Sequence, residues 1–510
     1  MKQIELINKR KRNEKHFLQE DGTIVAKIYG DDVHYLKNGK YEEIDNTLIK
    51  QNDCYVNKSN DYKVSFKEKS KDSFMKLEKD SYYLNFKLKN SKESKLHKNK
   101  CISKCMEEVL YDDVFDGIDI DYQTLPTKVK ETIILKKKQK NDISFIVDTN
   151  LKLNIENGEI IASNGNKNIF TIEKPYMKDS NGIINNNITY ELNYLDGNYE
   201  LDLILDEEWL QSPDTKYPVY IDPTIVNSKN TNSVYDTYIY PGDTGADRNS
   251  LPYLKIGVER VNNVDIVNRA LLKFDLPEIG TSSEIISAEL ILQTCYENDD
   301  SNNMEKTLEV HKITTDWSEE TATWEQMHDK YDERVETLQF LKRRKKIIDY
   351  ELDENGNPID VSYDINTYSQ MYDDITDLVK HWYKDTPNNG IMIKSNPEIY
   401  IDNNYPLVYS KNNPYSEGLK PLLVITYRNQ NGLESYLNYK TQSFTDGSTF
   451  LNTYNGNLVG VFNIGSTISS KLPASVNLIY NTNDVVLKNN GFKFSLNQTI
   501  MVSSIDNYEY

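Results

Sequence analysis

Asn-Gly and Asp-Gly pairs recur along the whole chain, among them Asn38-Gly39, Asn157-Gly158, Asn181-Gly182, Asp196-Gly197 and Asn455-Gly456. Both residues of such a pair tolerate positive φ, which a two-residue type I′ hairpin turn demands. A backbone that reverses this often leaves little room for long helices. Between the turns lie short runs of alternating polarity, such as "YYLNFKL", "ISFIVDT", "LKLNIENGEIIAS" and "YELNYLDGNYELDLIL". Period two places successive side chains on opposite faces of a strand. The 37 tyrosines add to this preference, because aromatic side chains favour strands. The expectation is a mainly β protein: β-sandwich domains in tandem.

The clearest strand is "NRALLKFDLP", residues 268–277. Ala270, Leu272, Phe274 and Leu276 fall on one side and Arg269, Lys273 and Asp275 on the other, with Leu271 out of pattern. The first set reads as a core face. The charged set reads either as a ligand surface or as a ladder of exposed ion pairs, each contributing ~0–1 kcal/mol.

The 510 residues suffice for several domains. With 60 Lys and Arg against 79 Asp and Glu, the net charge is −19. A chain this acidic repels phosphate backbones, so nucleic acid is not an expected partner. No apolar run reaches the ~20 residues of a membrane span. The opening "MKQIELINKRKRNEKHF" has no apolar signal-peptide core, so the sequence leaves the export route open. Four cysteines (Cys54, Cys101, Cys105, Cys295) are too few for a disulfide framework. His97, Cys101 and Cys105 lie four apart, looser than the C-x₂-C spacing of zinc sites, and no metal site is expected there.

A strand series closes with "KYPVYIDPTIV" before the polar "NSKNTNS", which suggests three domains: 1–225, 226–428 and 429–510. One short amphipathic helix is predicted in the second, from "DDITDLVKHWYKDTPNNG". Ile375, Leu378, Val379 and Trp382 share its inner face, and Asp374 caps its first turn. No H-E-x-x-H, G-x-S-x-G or P-loop is present, and nothing positions a nucleophile beside a base. No catalytic residue or cofactor is therefore expected. The oxygen-rich loops 296–303 and 353–360 would hold calcium weakly at most, since neither fits an EF-hand. The basic run "FLKRRKKII" (340–348) is either an anionic-polymer patch or a solvated insertion.

The second domain resembles the DNRLRE domain of bacterial and archaeal surface proteins, a relative of alginate-type carbohydrate-binding modules. The matching pieces, in order, are "DTYIYPGDT", "YLKIG", "NRALLKFDLP", "AELIL", "TTDWSEETATWEQ", "YDDITDLVKHWYKDTPNNGIMIK" and "PLLVITYR". The chain departs from the pattern in an insertion near 325–370. The first domain is similar to the β-rich region that often precedes this one, through "VHYLKNGKYEEIDNTL", "VKETIILKKK", "FTIEKPYMKDSNG" and "EEWLQSPDTKYPVYIDPTI". The third, with "YRNQNGLESYLNYKTQSF", "YNGNLV" and "LIYNTND", resembles the entry into an RHS/YD-repeat shell of wall-associated and polymorphic-toxin proteins. The resemblance implies a truncated shell, a secreted or cell-surface location and a downstream RHS-repeat partner.

If "PYLKIG" lies beside residues 268–276, then Tyr253, Lys255, Arg269 and Lys273 share one outer face. A planar ring with fixed cations suits a uronate or another anionic cell-wall polymer. Trp317 and Trp324 read as core anchors or as a sugar-stacking platform. Two functions stay open: a non-enzymatic adhesion module that binds a polysaccharide, or a structural plug of the shell without a glycan ligand.

Overall fold

The computed structural model describes residues 3–70, 74–97, 107–138, 143–181, 183–227, 233–243, 253–279, 283–295, 306–341, 349–352, 358–361, 369–384, 386–400, 407–413, 420–429, 433, 438–453, 456–467, 474–482, 491–495, 501–504 and 507–509. It is mainly β, with antiparallel pairings throughout and three short helices among the described residues. The oxygen-rich loop 296–303, the core of the loop at 353–357, the basic residues 342–348, and Cys101 and Cys105 lie outside the described residues.

Three of the expected turns are present, and Gly182 and Asn455 of the other two named pairs lie outside the described residues. Asn38, Asn157 and Asp196 have φ of 51°, 53° and 50°, and the glycines after them 75°, 84° and 85°. Each pair joins two strands of one antiparallel hairpin. The chain divides into two compact units, Asp31–Asn232 and Met1–Gly30 with Ser233–Tyr510.

In the Asp31–Asn232 unit, an eight-stranded sheet runs from Thr189–Leu195 at one edge to Asp45–Gln51 at the other. An eleven-stranded sheet contains Ile118–Thr124 and Lys128–Leu135. Their inner sides share one core that includes Phe66, Phe74, Tyr111, Tyr122, Phe145 and Phe170. Buried tyrosines keep their hydroxyls satisfied: Tyr111 donates to the Lys67 carbonyl at 2.6 Å and Tyr122 to Glu131 Oε1 at 2.7 Å. This is how a tyrosine-rich chain fills a core without stranding polar atoms.

The other unit is also a sandwich. Its eight-stranded sheet includes Glu14–Leu18, Ile24–Tyr29, Leu422–Asn429, Ser283–Cys295, Leu407–Tyr409, Tyr253–Lys255 and Ser369–Asp374. The facing six-stranded sheet holds Val234–Ile239, Val264–Phe274, Ile391–Asn396, Lys306–Ile313, Tyr331–Leu341 and Gly257–Val261. Ala270, Leu272 and Phe274 meet Ile24, Ile28, Leu290 and Ile425 in one core. The first thirty residues thus belong here rather than with residues 31–225. Ile24–Tyr29 pairs antiparallel with Leu422–Asn429, and its Ile24, Ala26 and Ile28 are fully buried. Continuity along the chain placed them in the N-terminal domain; a pairing nearly 400 residues distant leaves no local trace.

The helix Thr376–Lys384 forms as expected. Asp374 Oδ1 accepts from the Thr376 N–H at 3.0 Å, closing the first turn. Ile375, Leu378 and Val379 enter the core, and Trp382 packs on its edge. Towards the C-terminus a five-stranded sheet runs in order Tyr439–Phe444, Gly447–Asn452, Leu458–Thr467, Ala474–Asn481 and Phe492–Phe494. Among the described residues no helix is long and apolar enough to cross a membrane.

Candidate functional site

The four residues expected on one outer face belong to two sheets. Tyr253–Lys255 pairs with Leu407–Tyr409 in the eight-stranded sheet, whereas Arg269 and Lys273 lie on Val264–Phe274 in the six-stranded sheet. The expected shared face is therefore corrected: the strand before the Gly257–Val264 hairpin crosses to the opposite layer, and only Gly257–Val261 stays beside Val264–Phe274.

The outer face of Val264–Phe274 is covered over residues 269–273. Leu271, the residue out of pattern, is fully buried in a second apolar cluster with Ile239, Ile313, Trp317, Ala322, Met327 and Met392. Residues 314–330 thus lie as a cap over this sheet. Arg269, 8% exposed, joins Glu398 through Nε and Nη2, both at 2.7 Å. Its Nη1 donates to the His328 carbonyl. The guanidinium also lies 4.9 Å from the Trp324 ring centre and 5.5 Å from that of Tyr331. Lys273 pairs with Asp316 at 3.1 Å and sits over Tyr235 and Trp317. The Trp317 indole donates to the Asn389 carbonyl at 2.8 Å. The next residue, Gly390, has φ of +81°, and a Cβ there would meet the Leu272 carbonyl at 2.3 Å. Trp317 is a core anchor, and the two cations hold the cap down.

Lys411 closes the edge of this sheet. Its Nζ donates to Glu319 at 2.6 and 2.7 Å and to the Val234 carbonyl at 3.0 Å, and its N–H donates to Asp236 Oδ2 at 2.7 Å. Burial pushes the Asp236 carboxyl up to about 6, with Lys411 pulling the other way.

The outer face of the eight-stranded sheet differs. Tyr29, Leu422, Ile291 and Tyr372 stand in register across four adjacent strands. Their neighbours along each strand (Ile28, Leu423, Leu290 and Met371) point into the core, so this row points out. Tyr372 is 56% exposed. Tyr253 and Tyr409 form a cross-strand pair on the same side, since Leu254 and Val408 face the core. Lys27 sits over the Phe17 ring at 5.5 Å. Lys255 pairs with Glu259 at 3.0 Å, and Glu259 also accepts from Asn268 Nδ2. Aromatic planes beside polar side chains can stack on sugar C–H faces and hydrogen-bond their hydroxyls. Sequence pattern singles out Tyr253 but not Tyr372 or Tyr29. Alternation marks both as outward on their own strands, but nothing local makes those strands neighbours. Among the described residues no group of three or more His, Cys, Asp or Glu side chains is placed to hold a metal ion.

Residues 227–345 match carbohydrate-binding module family 96. The tRNA3(Ser)-specific nuclease WapA of Bacillus spizizenii is 32% identical over 184 residues, 33% of this chain and 8% of that protein. The tRNA nuclease WapA of Bacillus subtilis is 31% identical over 184 residues, again 33% of this chain and 8% of that protein. A wall-associated protein of Geobacillus stearothermophilus is 26% identical over 195 residues, 36% of this chain and 77% of that protein. The chain spans 8% of the length of the nuclease relatives.

Proposed function

We propose that the sandwich built around residues 226–428 is a non-catalytic attachment module that binds a cell-wall or surface polysaccharide. The carrying observation is the match of residues 227–345 to a carbohydrate-binding module, on a sandwich whose eight-stranded sheet leaves a row of aromatic and apolar side chains outward. The polymer lies across the strands along Tyr29, Leu422, Ile291 and Tyr372, with Tyr253 and Lys255 at one border. Lys255 and Lys27 favour an acidic polymer such as a uronan. Arg269 and Lys273 contribute through the cap instead. The wall-associated relative supports a role at the cell surface. The DNRLRE resemblance fits this reading, and so does placement ahead of an RHS-type repeat region.

The test is retention of the full chain on immobilised alginate, pectate and wall teichoic polymer, repeated with Tyr372→Ala and Tyr253→Ala. Binding that drops in both variants supports the reading; binding to none of the polymers contradicts it.

A second reading, a structural element of a larger β shell, draws on the C-terminal sheet. There Phe444, Gly447, Phe462, Leu478 and Phe494 stand in register across five strands, with Phe444 46% and Phe494 50% exposed. Such an apolar row suits packing against a further sheet. Expressing the chain together with downstream repeats would show these rings protected if that reading holds.

A further inference from the structure

The eight-stranded sheet of the Asp31–Asn232 unit ends on Thr189–Leu195, and among the described residues no strand pairs with the far side of that strand. The hairpin that carries it turns on Asp196-Gly197, so Leu195 faces Asn198 as a hydrogen-bonded pair. Alternation from there turns the backbone N–H and C=O groups of Thr189, Glu191, Asn193 and Leu195 towards Asn198–Ile204. Those of Tyr190, Leu192 and Tyr194 point off the edge.

Other edges of this unit are blunted. Asp45–Gln51, at the opposite end of the same sheet, carries a register shift between Asp45 and Leu48. Leu96–His97 is only two residues long. On Lys152–Glu156 the N–H of Leu153 donates to the Tyr199 hydroxyl at 3.3 Å. Thr189–Leu195 has none of these devices. Its seven residues keep an unbroken register and include no Pro, Lys or Arg. Tyr194 is 64% and Leu195 57% exposed, and the Tyr194 ring centre lies 4.8 Å from that of Tyr199. An edge strand of this kind is a template for a further strand.

The strand is complementary to itself. Set antiparallel about a two-fold axis at Leu192, Leu192 meets Leu192 and Tyr190 meets Tyr194 of the second copy. All are positions whose backbone points off the edge, so each pair exchanges two hydrogen bonds. Between them, Glu191 comes opposite Asn193 and Thr189 opposite Leu195, so no like charges stand directly opposite one another. The registers on either side are poorer. One centred on Glu191 opposes two glutamates, and one centred on Asn193 leaves Tyr190 facing the turn.

We propose that Thr189–Leu195 is a self-association edge through which two copies of this chain join their eight-stranded sheets into one. The contact is short, so the dimer is weak, with a dissociation constant in the micromolar range.

Sedimentation velocity of the full chain from about 1 to 200 µM reads the dimer, and hydrogen exchange at residues 189–195 reads its place. A monomer–dimer equilibrium is expected, with protection of this strand that rises with concentration. Leu192→Pro removes the N–H on the axis at an edge position that tolerates proline, and should abolish the dimer while exchange in the rest of the unit stays as it was. Asn193 is exposed, so its variants spare the fold. Asn193→Glu sets glutamates opposite one another and should weaken the dimer about fivefold, whereas Asn193→Lys faces Glu191 and should tighten it about fivefold. A monomer at every concentration overturns the proposal. So does a strand fully protected at the lowest concentration, which would mean that another segment of the same chain lies there. A dimer that leaves exchange at 189–195 unchanged, that survives Leu192→Pro, or that the two Asn193 variants do not move in opposite directions also overturns it.

Discussion

The two outer faces of the second sandwich start from the same pattern and end differently. On Val264–Phe274, the face opposite the core carries Arg269, Leu271 and Lys273, and residues 314–330 cover it. On the eight-stranded sheet, the corresponding face carries Tyr29, Leu422, Ile291 and Tyr372 and leaves Tyr372 largely in solvent. Cations on a strand therefore do not by themselves indicate a ligand surface. Arg269 spends its guanidinium on Glu398, the His328 carbonyl and two rings, all within its own unit. The open face carries cations too, Lys27 over Phe17 and Lys255 beside Glu259, but its rings are turned outward.

The sharpest way to break this contrast is a charge placed on each face. Leu271→Asp should cost more than about 4 kcal/mol, because it buries an unpaired carboxylate under the cap. Tyr372→Asp on the open face should cost less than about 1 kcal/mol. Denaturant unfolding of the two variants measures both; equal losses would mean the faces are equally covered.

Arg269→Ala should cost about 3 kcal/mol, since it leaves Glu398 without its partner in a mostly buried site. Arg269→Lys should recover only part of that, because one ammonium cannot replace a two-pronged contact that also stacks on Trp324. A ligand-binding role without a structural one would predict unchanged stability in both.

A smaller effect is expected from pH at the edge of the capped sheet. The Asp236 carboxyl, near 3.8 when unperturbed, is pushed up to about 6 in the fold by burial. The folded chain then holds a proton that the unfolded chain has released, so this group's contribution falls as pH rises from about 4 to 6 and is lost above that. The span is on the order of 2–3 kcal/mol. Asp236→Asn should flatten that part of the stability profile; an unchanged slope would assign it to other groups.

The smallest effect on stability accompanies the largest effect proposed on binding. Tyr372→Ala should leave the unfolding midpoint nearly unchanged and lower polymer affinity about tenfold, the loss of one stacked ring. A midpoint shift as large as that of Arg269→Ala would make Tyr372 a packing residue.

Much of this architecture was legible because its signals are local. Hairpin turns announce themselves through Asn38, Asn157 and Asp196, residues that tolerate positive φ. The helix at 376–384 follows from four apolar residues at helical spacing and a capping aspartate. What escaped the sequence is which strands become neighbours. Tyr253 could not be assigned to its sheet from "PYLKIG" alone, and nothing near Ile24 points to Ile425, its diagonal neighbour across the sheet. One local signal does mark the covered face. Leu271 breaks an otherwise clean alternation, and an apolar residue between two cations on the supposed solvent face means that this face, too, is covered.

The central claim is that the open face of the eight-stranded sheet, and not the capped face, meets the polysaccharide. Hydrogen exchange of the full chain with and without the polymer that retains it tests this directly. The account predicts protection in Ser369–Asp374 and Leu422–Asn429 with residues 314–330 unchanged. Protection confined to 314–330 would contradict it.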